Sequence, residues 1–560
     1  MTGSVSSTTT ASTSVSYSQN RNDFDTDALV EAAVSAKLTR ADSLETRITG
    51  NEAKIAAYQE MQSLMLAMQD SLQALRADPS SAGMGDDVFL NRTAYLTSST
   101  TTDPDTLLSV TVEDGTDLDA HSIEIQRVAT AERLGGGTMS SRSDAAGLAG
   151  TFTLGTTLDG SASVAVTADM SLDDIVSAVN AQTADTGIKA SVLQVSSGSY
   201  MMILTGTSTA AEIAVEDTGG TVLESLGIID SSGDKANVLQ QPQTALLSID
   251  GVTIERDGNE IDDAVDGIIL TLYKAEPGNT LTLEVDNSLS DIKSEIQTLV
   301  ETYNALRDFV LANQDTSDDG TAGDEAVLFA DSTLRTASNA LQEALTSVVG
   351  GNSMALLGLS FDSSNHLDLD EDKLDDALLN DLDQVEALLT FQATTSSANL
   401  TLLRHGDGPA SDSFTLEITT DGDGIITGVT KDGEAGFFTF DAASKRIIGA
   451  EGTDYEGMSF VFSGKSSQSI TVSVSQGLAD RMWQAVETIA DEYDGTLTQT
   501  VSDLEDANDD LADRVTAIQI NAESYRAYLL DKYARIEAKL AEAQALLDLL
   551  EALNNVNSED

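Results

Sequence analysis

The apolar positions of this chain follow a helical spacing at both ends and an alternating spacing in the middle. In residues 24 to 76 and 503 to 553, apolar residues recur three and four positions apart, as in helices that bury a seam against a partner helix. Between them, a Gly-, Thr- and Asp-rich stretch alternates apolar and polar residues, which is the period of β-strands. This pattern predicts one helical layer built from both termini, with strand domains inserted between its halves. Such a layout favours assembly over catalysis.

The N-terminal seam begins after a helix start signal. Asp25 and Thr26 carry the short side-chain oxygens that suit an N-cap, and Pro79 follows the last seam residue as a stop. Between these signals the spacing predicts a coiled-coil stripe. Its members are Leu44, Ile48, Ile55, Tyr58, Met65, Met68, Leu72 and Leu75.

The C-terminal seam is longer and contains a stutter. Its members are Leu511, Val515, Ile518, Ala522, Tyr525, Leu529, Tyr533, Ile536, Leu540, Ala543, Leu547 and Leu550. Two successive steps of four residues, from Tyr525 through Leu529 to Tyr533, would locally unwind a supercoil. The two seams either form an ordinary intramolecular bundle or remain exposed so that they can dock onto other subunits. The docking hypothesis rests on Leu29, Val30, Leu44, Ile48, Ile55, Tyr525, Leu529, Tyr533, Ile536, Leu540, Leu547 and Leu550.

The alternating segments predict antiparallel strands. They start at Ser122, Ser191, Ala245 and Gly267, and the last one reads as a hairpin that turns at Pro277 and Gly278. A short helix with a capping serine is predicted from Ser171, and helices resume at Leu289. A second strand-rich insert occupies Ala393 to Ser475.

The predicted fold class is a multidomain α+β protein, in which a helical bundle from both chain ends carries inserted antiparallel β domains. A length of 560 residues is too great for one core, so several domains are expected. We predict that residues 1–23 are disordered and that residues 24–80 and 503–560 form the terminal helices. Residues 81–135 and 238–287 are predicted to form one strand domain, into which residues 136–237 are inserted as a second domain. Residues 288–392 and 476–502 are predicted to form a helical domain, which is interrupted by the second insert of residues 393–475.

The charge of the chain limits its partners. With 93 acidic and 29 basic residues the net charge is -64, which repels phosphate backbones and anionic headgroups, so we expect neither nucleic-acid nor membrane binding. The charge reflects either a well-solvated surface or adaptation to a salty medium. There is no cysteine, no apolar run of the ~20 residues that cross a bilayer, and no basic patch followed by an apolar run at the N-terminus. We therefore expect a soluble protein without a cleavable secretory signal.

Candidate reactive groups do not form a site. His121, His366 and His405 lie far apart in the sequence, and the apparent phosphate loop ending at Lys465 lies inside a strand pattern. A calcium loop starting at Asp315 would need Glu at its twelfth position, which is Ala326. The acidic, leucine-containing run from Asp368 is interpreted as a solvated helix face, and Trp483 as a core anchor. The chain is thus expected to be no enzyme and to hold no cofactor and no metal.

Several segments resemble, in order, the flagellar filament cap family, also called flagellar hook-associated protein 2. The opening FDTDALVEAAVSAK, the strand SIEIQRVATAERL and the stretch SLDDIVSAVNAQTADTGIKASVLQ are similar to that family, the last to a repeat shared with flagellins. The most specific matches are ALLSIDGVTIERDGNEIDDAVDGIILTLYKAEPGNTLTLEVDN, IQTLVETYNALRDFV and LGLSFDSSNHLDLDEDKLDDALL. The chain departs from the family at Arg21 to Phe24, where a small Gly-rich turn is usual, and in residues 393–475.

The resemblance implies a structural role outside the cell. It implies a ring of identical subunits at the distal end of the bacterial flagellar filament, exported by the flagellar secretion apparatus with a chaperone. Strand domains would form a plate, and the terminal helices would form legs that dock onto flagellin. The rival interpretations are another axial flagellar component and an adhesin that binds host or surface glycans.

Overall fold

The computed structural model describes residues 25–76, 87–317, 320–323, 325–406 and 411–556. The helices of this part are α1 (Thr26–Arg76), α2 (Leu172–Asn180), α3 (Thr183–Thr186), α4 (Val222–Ser225), α5 (Leu289–Ala312), α6 (Ser332–Thr346), α7 (Glu371–Asn380), α8 (Leu382–Leu389), α9 (Leu478–Ala490) and α10 (Thr496–Val556). The strands are β1 (Arg92–Ser98), β2 (Leu108–Val112), β3 (Ala120–Arg127), β4 (Arg133–Met139), β5 (Gly150–Thr156), β6 (Ser161–Val166), β7 (Ile188–Ser196), β8 (Ser199–Gly206), β9 (Ile213–Gly219), β10 (Val238–Gln240), β11 (Ala245–Ile249), β12 (Val252–Arg256), β13 (Glu260–Val265), β14 (Ile268–Leu272), β15 (Thr280–Asn287), β16 (Leu359–Phe361), β17 (Leu367–Leu369), β18 (Gln392–Thr395), β19 (Leu400–Arg404), β20 (Ser411–Thr420), β21 (Ile426–Lys431), β22 (Phe438–Asp441), β23 (Arg446–Gly449), β24 (Ser459–Phe462) and β25 (Gln468–Ser475). The predicted α+β class is confirmed.

The chain divides into two compact units. The first comprises Met1–Gln69, Thr302–Ala344 and Gln484–Asp560, and the second comprises Asp70–Glu301 and Leu345–Trp483. The described part of the first unit is mainly helical, with Met61, Met65 and Met68 fully buried.

The helix α1 begins as predicted, whereas α10 does not. The cap at Asp25 is confirmed, since its Oδ1 accepts a hydrogen bond of 3.0 Å from the backbone N–H of Ala28. The predicted stop at Pro79 lies outside the described residues. The predicted boundary at residue 503 falls inside α10, which is one helix of 61 residues and not a pair.

The first strand domain of the second unit contains two sheets. One has the order β1-β15-β3-β11-β12 and the other β13-β14-β2, and all their described pairs are antiparallel. The predicted hairpin at Pro277 and Gly278 is wrong, because β14 pairs with β2 and β15 pairs with β3 in different sheets. Local alternation predicted both strands, but β2 and β3, which pair with them, lie more than a hundred residues earlier in the chain, and the near neighbour with which β14 pairs is β13.

The strands from β4 to β10 enclose a core of their own, and they begin before residue 136 and end after residue 237, the bounds predicted for this part. A sheet of order β10-β4-β8-β7 and a sheet of order β6-β5-β9 enclose apolar side chains together with α2. The predicted capping serine is confirmed. Ser171 Oγ accepts from the N–H of Asp174, and Asp174 Oδ2 accepts from the N–H of Ser171, which forms a capping box.

The acidic segment from Asp368 was interpreted as a helix face, but only its later part is helical. Leu367 and Leu369 belong to β17, which pairs with β16, and the helix α7 begins after Asp370. Leucines two residues apart therefore indicate a strand here, and only the later leucines, including Leu374, lie on a helix.

The second insert contains two four-stranded sheets. Their orders are β18-β25-β20-β21 and β19-β24-β23-β22, and the buried residues of its core all fall between Phe391 and Val474. At its base, His405 stacks on Phe391 with 4.3 Å between ring centroids. Trp483 is half-buried and not a fully buried anchor, with the Arg76 guanidinium 3.8 Å from its ring centroid.

Candidate docking site on the terminal helices

The two terminal helices pack against each other in antiparallel order. Thr26 Oγ1 donates to Glu537 Oε1 over 2.9 Å at one end, and Asn51 Nδ2 donates to Asn508 Oδ1 over 2.8 Å at the other. Between them, Arg526 Nη2 lies 2.6 Å from an oxygen of Glu31. We call residues 26–51 of α1 and 508–537 of α10 the terminal helix pair.

An apolar cluster holds this pair together. Val30, Val34, Ala522 and Leu529 are its buried members. Ala33, Leu38, Tyr525 and Tyr533 pack around it. The Lys37 ammonium lies 4.5 Å from the centroid of the Tyr525 ring, which adds a cation–π contact.

Two residues that were predicted to dock onto other subunits are therefore buried within the chain itself. Val30 is 2% exposed and Leu529 is 6% exposed, so neither offers apolar surface to another subunit while the pair is closed. This corrects their assignment as exposed docking residues. The reason is that both helices place one stripe of the same spacing on facing sides, and burying that stripe removes apolar area from water.

The helix α10 continues past the start of α1. From Glu537 to Val556 it extends for about 28 Å at the rise of an α-helix. Along this part the side chains that were seam residues are exposed: Ile536 by 41%, Leu540 by 45%, and Leu547 and Leu550 by 60% each. We call residues 536–553 the apolar tip.

The predicted docking residues thus differ in exposure. Val30 and Leu529 are buried, and Leu29 is exposed on the outer side of α1. The residues of the middle group are half-buried along the helix pair and its extension. They are Leu44, Ile48, Ile55, Tyr525 and Tyr533. The exposed group in the apolar tip is Ile536, Leu540, Leu547 and Leu550.

The sequence interpretation missed part of the apolar tip. Leu546, Leu549 and Leu553 are 55 to 58% exposed and belong to no single seam. The run LLDLLEAL carries leucines on more than one side of the helix, which was the available signal. The apolar tip therefore presents leucines around much of its circumference.

The terminal helices interact through the packing of their side chains. In the first unit, burial together with a 2.7 Å hydrogen bond to Asp331 raises the pKa of the Tyr58 hydroxyl far above its ordinary value, which keeps it protonated.

Over the described ranges, no group of three or more His, Asp or Glu side chains is arranged to hold a metal ion. Of the helices described here, none is long and apolar enough to cross a membrane.

Comparison with known protein families gives three matches. The model described as "Flagellar hook-associated protein 2 C-terminus" matches residues 242–545. The model "Flagellar hook-associated protein 2 N-terminus" matches residues 22–132, and "Flagellin hook IN motif" matches residues 151–208.

The chain is also similar to individual proteins of known name. The chain is 33% identical to "Flagellar hook-associated protein 2" of Salmonella typhimurium over 237 residues, which are 40% of this chain and 49% of that protein. It is 26% identical to the protein of the same name from Escherichia coli K12 over 438 residues, 74% of this chain and 87% of that protein. Among solved structures, the flagellar cap protein D1-D2-D3 domains from Escherichia coli are 28% identical, with a TM-score of 0.43, over 60% of this chain and 90% of that one.

Proposed function

The chain belongs to the flagellar hook-associated protein 2 family, and from this membership we propose that it caps the distal end of a bacterial flagellar filament. In this role it promotes the ordered addition of exported flagellin and prevents its loss into the medium. The role is structural and needs no reacting group, cofactor or metal. The proposed location is the filament tip, outside the cell.

The observation that carries the proposal beyond family membership is the apolar tip. Leu540, Leu547 and Leu550 each expose about half of their side chain or more on the part of α10 that lies beyond the start of α1. Single exposed leucines are common on protein surfaces, but a contiguous helical patch of them indicates a binding surface. Such a helix fits an apolar groove between the helices of other subunits. We propose that this groove is formed by flagellin.

Two further partners follow from the proposed function and from the apolar tip. The chain acts at the tip as a ring of identical copies, because a cap must contact several filament subunits at once. During export through the flagellar secretion apparatus, a chaperone covers the exposed leucines, since such a patch promotes aggregation in water. No observation on the residues described here supports binding of surface glycans or cell adhesion, so neither is part of the proposal.

The test replaces two leucines of the apolar tip in the full chain. Leu540→Asp with Leu547→Asp removes docking area worth about 1.5 to 3 kcal/mol per side chain. We expect cells that carry only this variant to shed unpolymerised flagellin and to swim poorly. The helix pair should stay folded, because both residues lie beyond the buried cluster around Val34 and Ala522.

The matched control carries two aspartates elsewhere. Leu118→Asp with Leu158→Asp changes leucines that are 52% and 60% exposed in the second unit, and should leave filament growth unchanged. Normal filament length in the Leu540/Leu547 variant would refute docking through the apolar tip. Failure of the unaltered chain to restore filament growth in cells lacking a cap would refute the capping function itself.

A further inference from the structure

The second insert is attached to the rest of the second unit by more than its two chain crossings. His405 directly follows β19 of the insert and is 4% exposed. Its ring stacks on that of Phe391, which lies just before the insert. Its Nε2 lies 3.4 Å from Oδ1 of Asp480, a residue of the helix α9 that follows the insert. A side chain of the insert is therefore buried against the helix to which the chain returns.

This contact belongs to a buried group of charged side chains. Asp480 is 0% exposed, and Arg76, the last residue of α1, is 5% exposed. Arg76 Nη1 lies 3.9 Å from the same Oδ1 of Asp480 that faces His405. We call Arg76, His405 and Asp480 the buried joint. It brings together the end of α1, the insert and α9, which are distant in the sequence and all belong to the second unit at these positions.

The hydrogen bond of His405 to Gly406 determines where one proton of the ring lies. Nδ1 of His405 is 2.8 Å from the carbonyl oxygen of Gly406. A carbonyl oxygen only accepts, so Nδ1 carries a hydrogen and donates it. In a neutral imidazole the other nitrogen, Nε2, is then an acceptor, and it faces the carboxylate oxygen of Asp480, which is also an acceptor. Two acceptors repel each other, so the contact is favourable only when a proton lies between them.

The charges around the imidazole act in opposite directions on that proton. The carboxylate of Asp480 on α9 favours it, and the guanidinium of Arg76 on α1 opposes it. Arg404, the neighbour of His405 in the insert, is exposed, so water screens its charge. The guanidinium of Arg76 also lies 3.8 Å from the ring centroid of Trp483, which gives this cation a second favourable contact.

We propose that the buried joint is a pH-sensitive lock that fixes the insert on the second unit. With the proton present, His405 is attracted to Asp480 and the insert is held rigidly on α9. Without it, the two acceptors repel each other and the insert moves about its two chain crossings. The locked state holds one proton more than the released state, so locking strengthens as pH falls and weakens as pH rises. The insert stays folded in both states, because its core between Phe391 and Val474 does not include the joint.

The absence of cysteine permits a direct test with two introduced labels. Ala443→Cys lies at an exposed position of the insert, and Val252→Cys lies on β12 at a valine that is 65% exposed. Nitroxide labels on both thiols of the full chain allow pulsed electron paramagnetic resonance to measure the distribution of distances between them. We expect this distribution to be at least about twice as wide at about pH 9 as at about pH 6, on either side of the range in which imidazoles titrate. Equal widths at the two pH values would overturn the proposal.

Substitutions of His405 separate the proton from the contact. His405→Ala removes both, so its distance distribution should be wide at both pH values. His405→Gln supplies an amide N–H that can donate to Asp480 at any pH, so its distribution should be narrow at both. Circular dichroism of each variant shows whether the domains stay folded. If His405→Ala unfolds the insert, the His405→Gln variant decides the question.

A second histidine of the second unit provides the matched control. His366 Nδ1 also lies 3.4 Å from a carboxylate oxygen, that of Asp362, but outside the insert. His366→Ala should therefore widen the distribution with pH as the unaltered chain does. A pH dependence that persists in His405→Gln, or one that His366→Ala abolishes, would assign the proton to another group and overturn the lock.

Discussion

Glu386 is a carboxylate that the second unit partly buries near other carboxylates. Burial is the main cause that raises its pKa, the nearby Asp87 and Asp383 raise it further, and Arg92 lowers it by a smaller amount. The pKa of Asp87 is also raised by burial, against hydrogen bonds from the backbone N–H groups of Phe89 and Leu90. In both cases the folded chain holds the proton more tightly than the unfolded chain does. The stability cost is therefore absent below the unfolded pKa, about 4 for such groups, and appears as pH rises through the raised folded pKa.

Replacing the carboxylate of Glu386 by an amide should therefore stabilise the second unit. We expect Glu386→Gln to raise the unfolding temperature at pH 7, because the amide needs no buried charge, and to lose this advantage as pH falls toward 4. Thermal unfolding across a pH series measures the effect. Asp376→Asn is the control, since Asp376 is exposed on α7. A Gln variant that is less stable than the parent at pH 7 would show that the attraction between the carboxylate and Arg92 outweighs the cost of burial.

At the scale of elements, α10 combines two surfaces with different uses. Its first part is matched to α1 through the cluster around Val34 and Ala522, and its last part is the apolar tip. The stutter from Tyr525 to Tyr533 lies within the helix pair, where Leu529 is buried and its neighbour Leu530 is 44% exposed. Adjacent leucines on one helix therefore have opposite roles, which offers a matched pair of substitutions.

The helix pair should depend on Leu529 and not on Leu530. We expect Leu529→Ala to destabilise the pair by about 2 kcal/mol or more, because it removes a buried side chain and leaves a cavity. Leu530→Ala should change stability by less than about 0.5 kcal/mol. Hydrogen exchange of the backbone amides in residues 30–50 reports on pairing. Equal loss of protection in both variants would contradict the antiparallel register.

At the scale of the whole molecule, the insert of residues 393–475 is a part of the second unit with its own hydrophobic core. Its core is drawn from Phe391 to Val474, and β18 and β25 pair side by side where the chain enters and leaves it. His405 contacts the helix after the insert, with 3.4 Å between its Nε2 and Asp480 Oδ1. A self-contained core with adjacent ends is typical of an insertion that the remaining fold tolerates.

We predict that the insert is dispensable for capping. Replacing residues 393–475 by a short Gly/Ser linker should preserve filament growth, because the strands that leave with it form their own core. The deletion also removes His405, which lies beside the buried carboxylate of Asp480. Adding Asp480→Asn to the deletion therefore controls for the loss of this contact. Secretion of unpolymerised flagellin by both deletion strains would assign the insert to the capping machinery.

The net charge of -64 gives a second prediction for the whole molecule. Exposed charges are screened within about 8 Å at physiological salt and about 30 Å at 0.01 M, so repulsion between copies grows as salt is removed. We expect the proposed ring to dissociate at low salt while each domain stays folded. Sedimentation velocity across a salt series, with Trp483 fluorescence as the folding monitor, tests this. An oligomer that persists unchanged at about 0.01 M salt would show that apolar contacts outweigh the repulsion.

The sequence by itself determined the features that depend on near neighbours in the chain. The caps at Asp25 and Ser171 were predictable because a capping side chain bonds to backbone groups within three residues. Helical and alternating periods likewise report which side of one element is apolar. The α+β class, the seam spacing and the family motifs could therefore be recognised from the sequence alone.

The tertiary structure decided which apolar surfaces meet. Pairing of β14 with β2 and of β15 with β3 depends on segments distant in the chain, so local alternation could not distinguish it from a hairpin. Leu529 and Leu547 belong to one seam with one period, yet only Leu529 lies where α1 runs alongside α10. Burial is a property of two elements in a particular register, and the physical reason for the difference is that a periodic pattern describes only one of them.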